Sequence, residues 1–279
     1  MDVFDPVFMV RDLAFGRDFT PKFFTALVAI GFVLVDLVRQ RRLDYVWVFV
    51  FGTAIWAGAE ALLNFQGVRD MPTRELFGEP LALPVSYLIQ GMSEGAFVAV
   101  VGLYLGDRWL CRSTRRWSVL VAVVVLAAIA VATFRSSRRL PGFGQAGSRR
   151  DVFDESALLG LGVLVVIGLV FFWRYPPWRA RTAAMFVAMV IVGTGWTIAQ
   201  SLVQGRWVEV GDPVAGSTGE AGVVVSVAVF AFDIVIEIAA AYVPFLALPV
   251  MLRLARDPRP LRITPADRGV VSPQRVAAG

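Results

Sequence analysis

Two carboxylates four residues apart, Asp233 and Glu237, lie in the apolar stretch Phe230–Pro244, and that spacing puts them on one face of a helix. No Lys or Arg lies within fifteen residues on either side. Earlier apolar runs repeat the four-residue spacing with Glu60/Asn64, Gln90/Glu94 and Gln200/Gln204. Acids placed in apolar helices are costly and mark sites by default. Four carboxylates with no basic residue in the same runs cannot all be ionised in a low dielectric, so protons or a cation must neutralise them. The chemistry that follows is proton or cation coupling, oxygen ligation of a hard metal ion, or carboxylic acid–base catalysis on a neutral lipophilic substrate. An anionic substrate is disfavoured. The site expected from these spacings is Glu60, Asn64, Gln90, Glu94, Gln200, Gln204, Asp233 and Glu237.

The elements that would carry these groups are membrane helices. The chain has 279 residues, is 57% hydrophobic and has a mean hydropathy of +0.67, above the 45–50% apolar share of ordinary soluble domains. Seven apolar runs fall near residues 22–38, 44–65, 83–106, 117–134, 156–173, 182–203 and 222–252, each near the length of about 20 residues that a span requires. Trp47, Trp109, Trp117, Trp173, Trp178 and Trp207 lie near the run ends, as an aromatic belt demands. Pro244 and Pro249 are expected to kink the last run. The fold class is therefore an all-α integral membrane protein of seven transmembrane helices. Residues 1–21 form an external segment, either interfacial helix or loose tail; residues 22–254 form the membrane domain; residues 255–279, rich in Pro and Arg, form a disordered tail held near anionic lipid.

Orientation follows from charge. The linkers after helices one, three and five, with everything from Arg253 onward, hold 16 basic and five acidic residues; the N-terminus and the other linkers hold 11 and 13. The positive-inside rule then puts the N-terminus outside and the C-terminus in the cytoplasm, in a bacterial inner membrane. One external linker, residues 135–150, is itself rich in Arg around a Gly-containing centre and is expected to be flexible.

An offset of 140 residues aligns Arg39 with Arg179, Arg41 with Arg181, Trp56 with Trp196, Glu60 with Gln200 and Asn64 with Gln204. Helices one to three thus match five to seven as a parallel 3+1+3 repeat, a transporter plan. This plan resembles that of the SWEET and PQ-loop transporters in topology, although the Pro-Gln signature at the helix starts is absent. A retinal protein is excluded, because no lysine follows Lys22 to form a Schiff base. There is no His and only one cysteine, Cys111, so zinc sites, Ser-His dyads and internal disulfides are excluded. No cofactor and no nucleic acid is implied. The expected partners are membrane lipid and a proton, small cation or small lipophilic molecule, with a homo-oligomer or membrane-complex partner left open.

The leading function is a small transporter or a proton- or cation-linked binding protein. The alternatives are an intramembrane enzyme of hydratase or isomerase type acting on a lipid or isoprenoid, and a subunit or assembly factor of a membrane complex. The topology makes a direct prediction. Reporter fusions after Arg108 and after Arg253 should read cytoplasmic, and a fusion within 135–150 external; a cytoplasmic reading there would overturn the seven-span topology.

Overall fold

The structure, a computed structural model, describes residues 6–67, 73–139, 143–211 and 216–261. Seven helices are long and apolar enough to cross a membrane: Thr20–Gln40, Asp44–Phe65, Leu83–Leu110, Arg112–Arg139, Glu155–Arg174, Pro176–Leu202 and Val223–Met251, the first to the seventh in chain order. Large apolar side chains such as Leu120, Val123, Leu159, Val163, Val166 and Val227 are exposed on their outer surfaces. Such a surface needs lipid rather than water around it, and the chain is a multi-pass membrane protein.

The third helix is the centre. In its most apolar stretch 83% of residues are buried, against 11% in the fifth. Two Gly-x-x-x-Gly pairs explain this position. A Cβ on Gly91 or Gly95 would lie 2.4 Å from the Thr53 carbonyl oxygen or 2.6 Å from that of Gly52, so this pair seats the third helix directly on the backbone of the second. The pair Gly102 and Gly106 does the same toward the sixth helix, at Met189 and at the backbone of Ala184 and Met185. Close approach through small residues is the usual means of helix association where lipid removes the hydrophobic drive.

The expectation of an all-helical chain is corrected at one end of the bundle. Strands β1 (Val7–Asp12), β4 (Ala146–Asp151), β5 (Arg206–Val210) and β6 (Gly219–Glu220) form an antiparallel sheet in the order β4-β1-β5-β6, and β2 (Glu75–Leu76) and β3 (Glu79–Pro80) form a small hairpin. The N-terminal segment is thus strand β1 followed by the short helix Leu13–Arg17, rather than an interfacial helix or a tail. Its Val7, Phe8 and Val10 are residue types that suit a pleated, half-buried strand. Residues 146–150 of the Arg-rich linker expected to be flexible belong to strand β4, paired with β1 with a register shift between Arg11 and Asp12, and residues 135–139 end the fourth helix; residues 140–142 of that linker lie outside the described residues. Asp12 joins the parts: its carboxylate accepts from the backbone N–H groups of Ala14 (2.9 Å), Phe15 (3.3 Å) and Gly144 (2.6 Å). Burial pushes the Asp12 carboxyl up, against these donors.

The opposite end is closed by a buried ionic cluster. Arg181, 1% exposed, donates to both Asp107 oxygens (2.7 and 2.8 Å) and to Asp44 (2.7 Å). Arg42 reaches Asp107 (3.3 Å) and Asp36 (3.5 Å), and Tyr45 donates to Asp107 (2.9 Å). The same two arginines donate to the carbonyls of Asp257, Arg259 and Pro260. The stretch after Ala255 that was expected to be disordered is therefore bound to the bundle at least to Pro260; residues 262–279 lie outside the described residues. Pro244 and Pro249 both sit inside the seventh helix, and the helical segment before them is wound as a π-helix, Asp233–Ala240, ending where Pro244 offers no N–H to the Ala240 carbonyl.

The glycine packing predicts an asymmetric response. Gly106→Leu should destabilise the protein by about 1–3 kcal/mol or more, because its side chain must displace the backbone of the sixth helix. Gly160, whose Cβ would meet nothing within 4 Å, should accept Leu without loss. Thermal unfolding in detergent compares the two.

Candidate functional site

The site is built where the sheet meets the bundle. In the ladder, Arg11 stands opposite Arg206 and Met9 opposite Arg150. Facing pairs and alternate residues share one side of a sheet, so Arg11, Arg150 and Arg206 project from the same face. Like charges directly opposite destabilise a strand pair unless something neutralises them, and the carboxylates of the helices do so. Arg11 Nη1 lies 3.0 Å from Glu94 Oε1, Arg150 Nη2 2.6 Å from Glu237 Oε2, and Arg206 Nη2 2.8 Å from Asp233 Oδ1. Arg206 also meets the Met9 sulfur. The other face of the sheet carries Arg149, Trp207 and Glu209, bonded among themselves over Val10.

Two further cations complete the set. Lys22 Nζ is 3.2 Å from Glu94 and 2.5 Å from the Gln90 oxygen, while Gln90 Nε2 donates to Glu94 at 2.7 Å. Arg74 donates to Glu60 (2.9 Å) and to Ser86 Oγ (2.7 Å), with its guanidinium 4.7 Å from the Phe19 ring centroid. The expectation of four carboxylates without basic partners is thus corrected: each meets a cation. The cations come from strands, a linker and the far end of another helix, so distance along the chain said nothing about them. Burial alone would lower the Arg150 guanidinium, and Glu237 beside it outweighs that and raises it. At Arg74 burial prevails over Glu60, and the shift is downward.

Glu94, Asp233, Glu237 and Gln200 line one cavity of about 70 Å³, together with Arg11, Arg150, Arg206, Trp56, Trp196, Thr197 and Tyr242. That is room for a few water molecules or one small polar group. Both Trp56 and Trp196, the pair related by the offset of 140, stand on its wall. Tyr242 packs edge-on against Trp56 at 5.2 Å. One buried polar atom of the cavity residues, Trp56 Nε1, has no hydrogen-bond partner among the described residues. Glu94 sits in a π-helical turn, Gly91–Ala96, as Asp233 and Glu237 sit in theirs; such turns recur at functional sites because they re-aim side chains.

The remaining expected residues are placed around this cavity rather than in it. Glu60 is buried beside Arg74 and lines a neighbouring groove with Arg150 and Glu237. Gln90 is fully buried and holds Glu94 and Lys22. Asn64 accepts from the Tyr87 hydroxyl at 2.7 Å. Gln204 follows the end of the sixth helix with a positive φ of 53°, away from the cavity lining. The residues missed by sequence reasoning are Arg11, Lys22, Arg74, Arg150, Arg206, Trp56 and Tyr242. The Trp and the two Val of Arg206-Trp-Val-Glu-Val210, followed by Gly211, were the available signal, since that composition reads as a short strand.

Comparison with known protein families, with curated proteins and with solved structures returned no match for this chain. Among the described residues no cluster of three or more His, Cys, Asp or Glu could hold a metal ion.

The pairing predicts strong coupling across the sheet–bundle boundary. Arg150→Met alone leaves Glu237 buried without its cation and should cost about 3–5 kcal/mol. Adding Glu237→Gln should recover most of that loss. A double-mutant cycle on thermal unfolding measures it, and additive effects would contradict the pairing.

Proposed function

We propose that the protein is a small membrane binding protein of the transporter kind, whose site is the carboxylate–arginine cavity between the sheet and the third, sixth and seventh helices. The observation that carries this reading is the buried, unpartnered indole N–H of Trp56, a residue that lines the cavity. Leaving a buried polar group unmade costs about 1–3 kcal/mol, and a ligand that accepts from it recovers that cost. The acids enter this reading as hydrogen-bond acceptors and as anchors for the sheet. Because five cations already face the four carboxylates, a free cation is not the ligand that the charges favour.

Acid–base catalysis on the bound molecule is the second reading. Asp233 and Glu237 stand side by side on the same cavity, each with its own arginine, which would suit two carboxyls to different proton-transfer roles. A subunit role loses its motive, since the acids meet arginines of their own chain. The outward N-terminus, the inner-membrane setting and the parallel repeat belong to this proposal too. The π-helical turns of the third and seventh helices, which overlap at the offset of 140, support the repeat.

The test uses Trp56→Phe, which keeps an aromatic ring beside Tyr242 but removes the five-membered ring that carries the unpartnered N–H. Protein purified from membranes and extracted with organic solvent should release about one small molecule per wild-type chain. The variant should release several-fold less while its melting temperature shows that it is still folded. Equal release from both proteins, or none from either, would defeat the binding reading.

A further inference from the structure

The polar cavity has an apolar neighbour. A groove of about 320 Å³ runs between the second and fifth helices, with Glu237 and Ala241 of the seventh among its lining residues. Its walls are apolar: Ile55, Ala59, Leu62, Leu63 from one side and Leu158, Leu161 and Leu164 from the other. Leu62 and Gly160 are exposed, so the groove opens sideways on the surface that lipid covers. At the sheet end a hydrogen bond from Ser156 Oγ to Gln66 Oε1 (3.2 Å) joins the two flanking helices. Trp56, Arg150 and Glu237 line both the groove and the polar cavity, and so form the boundary between them.

Resting on the binding reading above, we infer that the ligand is a lipophilic alcohol: an apolar chain lies in the groove between the second and fifth helices, and its hydroxyl reaches the boundary at Trp56. Three observations carry this. The groove is apolar and opens toward lipid, so its occupant arrives through the bilayer and is hydrocarbon over most of its length. Trp56, which lines both the groove and the cavity, carries an unpartnered donor, Nε1; a hydroxyl oxygen accepts from it and gives its own proton to a carboxylate of the cavity. The four acids and five cations around that point are already paired with one another. A charged head would have to be desolvated and would break a pair, whereas a neutral hydroxyl leaves every pair intact. A site arranged this way discriminates against the analogue lacking the hydroxyl, because its own donor would stay unpaired.

The experiment is native mass spectrometry of the full chain in detergent with three probes of one chain length: hexadecanol, hexadecane and hexadecyl phosphate. Wild type should give a saturable one-to-one adduct with hexadecanol and none with hexadecane. Trp56→Phe should weaken that adduct about fivefold, the loss of one hydrogen bond. Gly160→Leu fills the groove from an open position and raises helix propensity; it should weaken the adduct at least tenfold while the melting temperature holds. Preference for the phosphate would overturn the neutral head. Unaltered hexadecanol binding by Gly160→Leu would overturn the groove while leaving the cavity reading standing, since that reading is judged by the molecule released on extraction. No saturable hexadecanol adduct in wild type would overturn the inference as a whole.

Discussion

Four carboxylates inside an apolar bundle cannot stand alone, and the fold is arranged around supplying their counter-charges. In isolation each buried ion would cost several kcal/mol of desolvation. Glu60, Glu94, Asp233 and Glu237 avoid this by drawing four cations from segments outside the membrane helices, β1, β4, β5 and the linker that carries Arg74, and one, Lys22, from the start of the first helix. The dependence runs both ways. A small sheet that presents Arg11 opposite Arg206 has no reason to exist over water, and it becomes stable only above a bundle that offers acids in the same geometry. The sheet and the acids are two halves of one interaction.

The third helix holds that interaction in place. Its two glycine pairs seat it on the second and sixth helices, and the π-helical turn between Gln90 and Phe97 turns Glu94 toward Arg11 and Lys22. Toward its C-terminal end Asp107 receives two nitrogens of Arg181, with Arg42 and Tyr45 alongside. One helix thus carries an acid near its middle and another near its end, and both acids are satisfied by arginines brought from elsewhere. The close helix crossing, the re-aimed side chains and the ionic ends are three expressions of the same economy: where lipid provides no hydrophobic drive between helices, shape and charge must do the joining.

Much of this could be read in the sequence, and the reasons for the rest are physical. The seven helices follow from runs of apolar residues, which depend only on local composition. Glu94, Asp233, Glu237 and Gln200 could be picked out because an acid or amide in such a run is expensive wherever the run ends up, and the structure does bring those four to one cavity. The basic partners could not, since Arg11, Arg150 and Arg206 lie 83, 87 and 27 residues from the acids they meet. Strand pairing over such separations leaves no local periodicity, and short strands such as β4 look like linker. Gly91-x-x-x-Gly95 and Gly102-x-x-x-Gly106 were legible as close-packing motifs and were the missing pointers to the central helix.

The order of strands in the sheet also sets an order of assembly. Strand β1 is made first, yet its neighbours β4 and β5 lie beyond the fourth and the sixth helices. At ordinary rates of translation, about 200 residues separate β1 from β5 by roughly 10–40 s. During that interval Arg11 gains Ser148 of β4 as its strand partner but not Arg206 of β5, and Asp233 has not yet been made. The seventh helix, with two acids in its centre, therefore emerges last into a membrane where β4, which carries Arg150, is already present and β5, which carries Arg206, has just preceded it. Its insertion is helped by charges waiting for it, so the helix that carries Asp233 and Glu237 one turn apart is the one whose entry is most completely prepared.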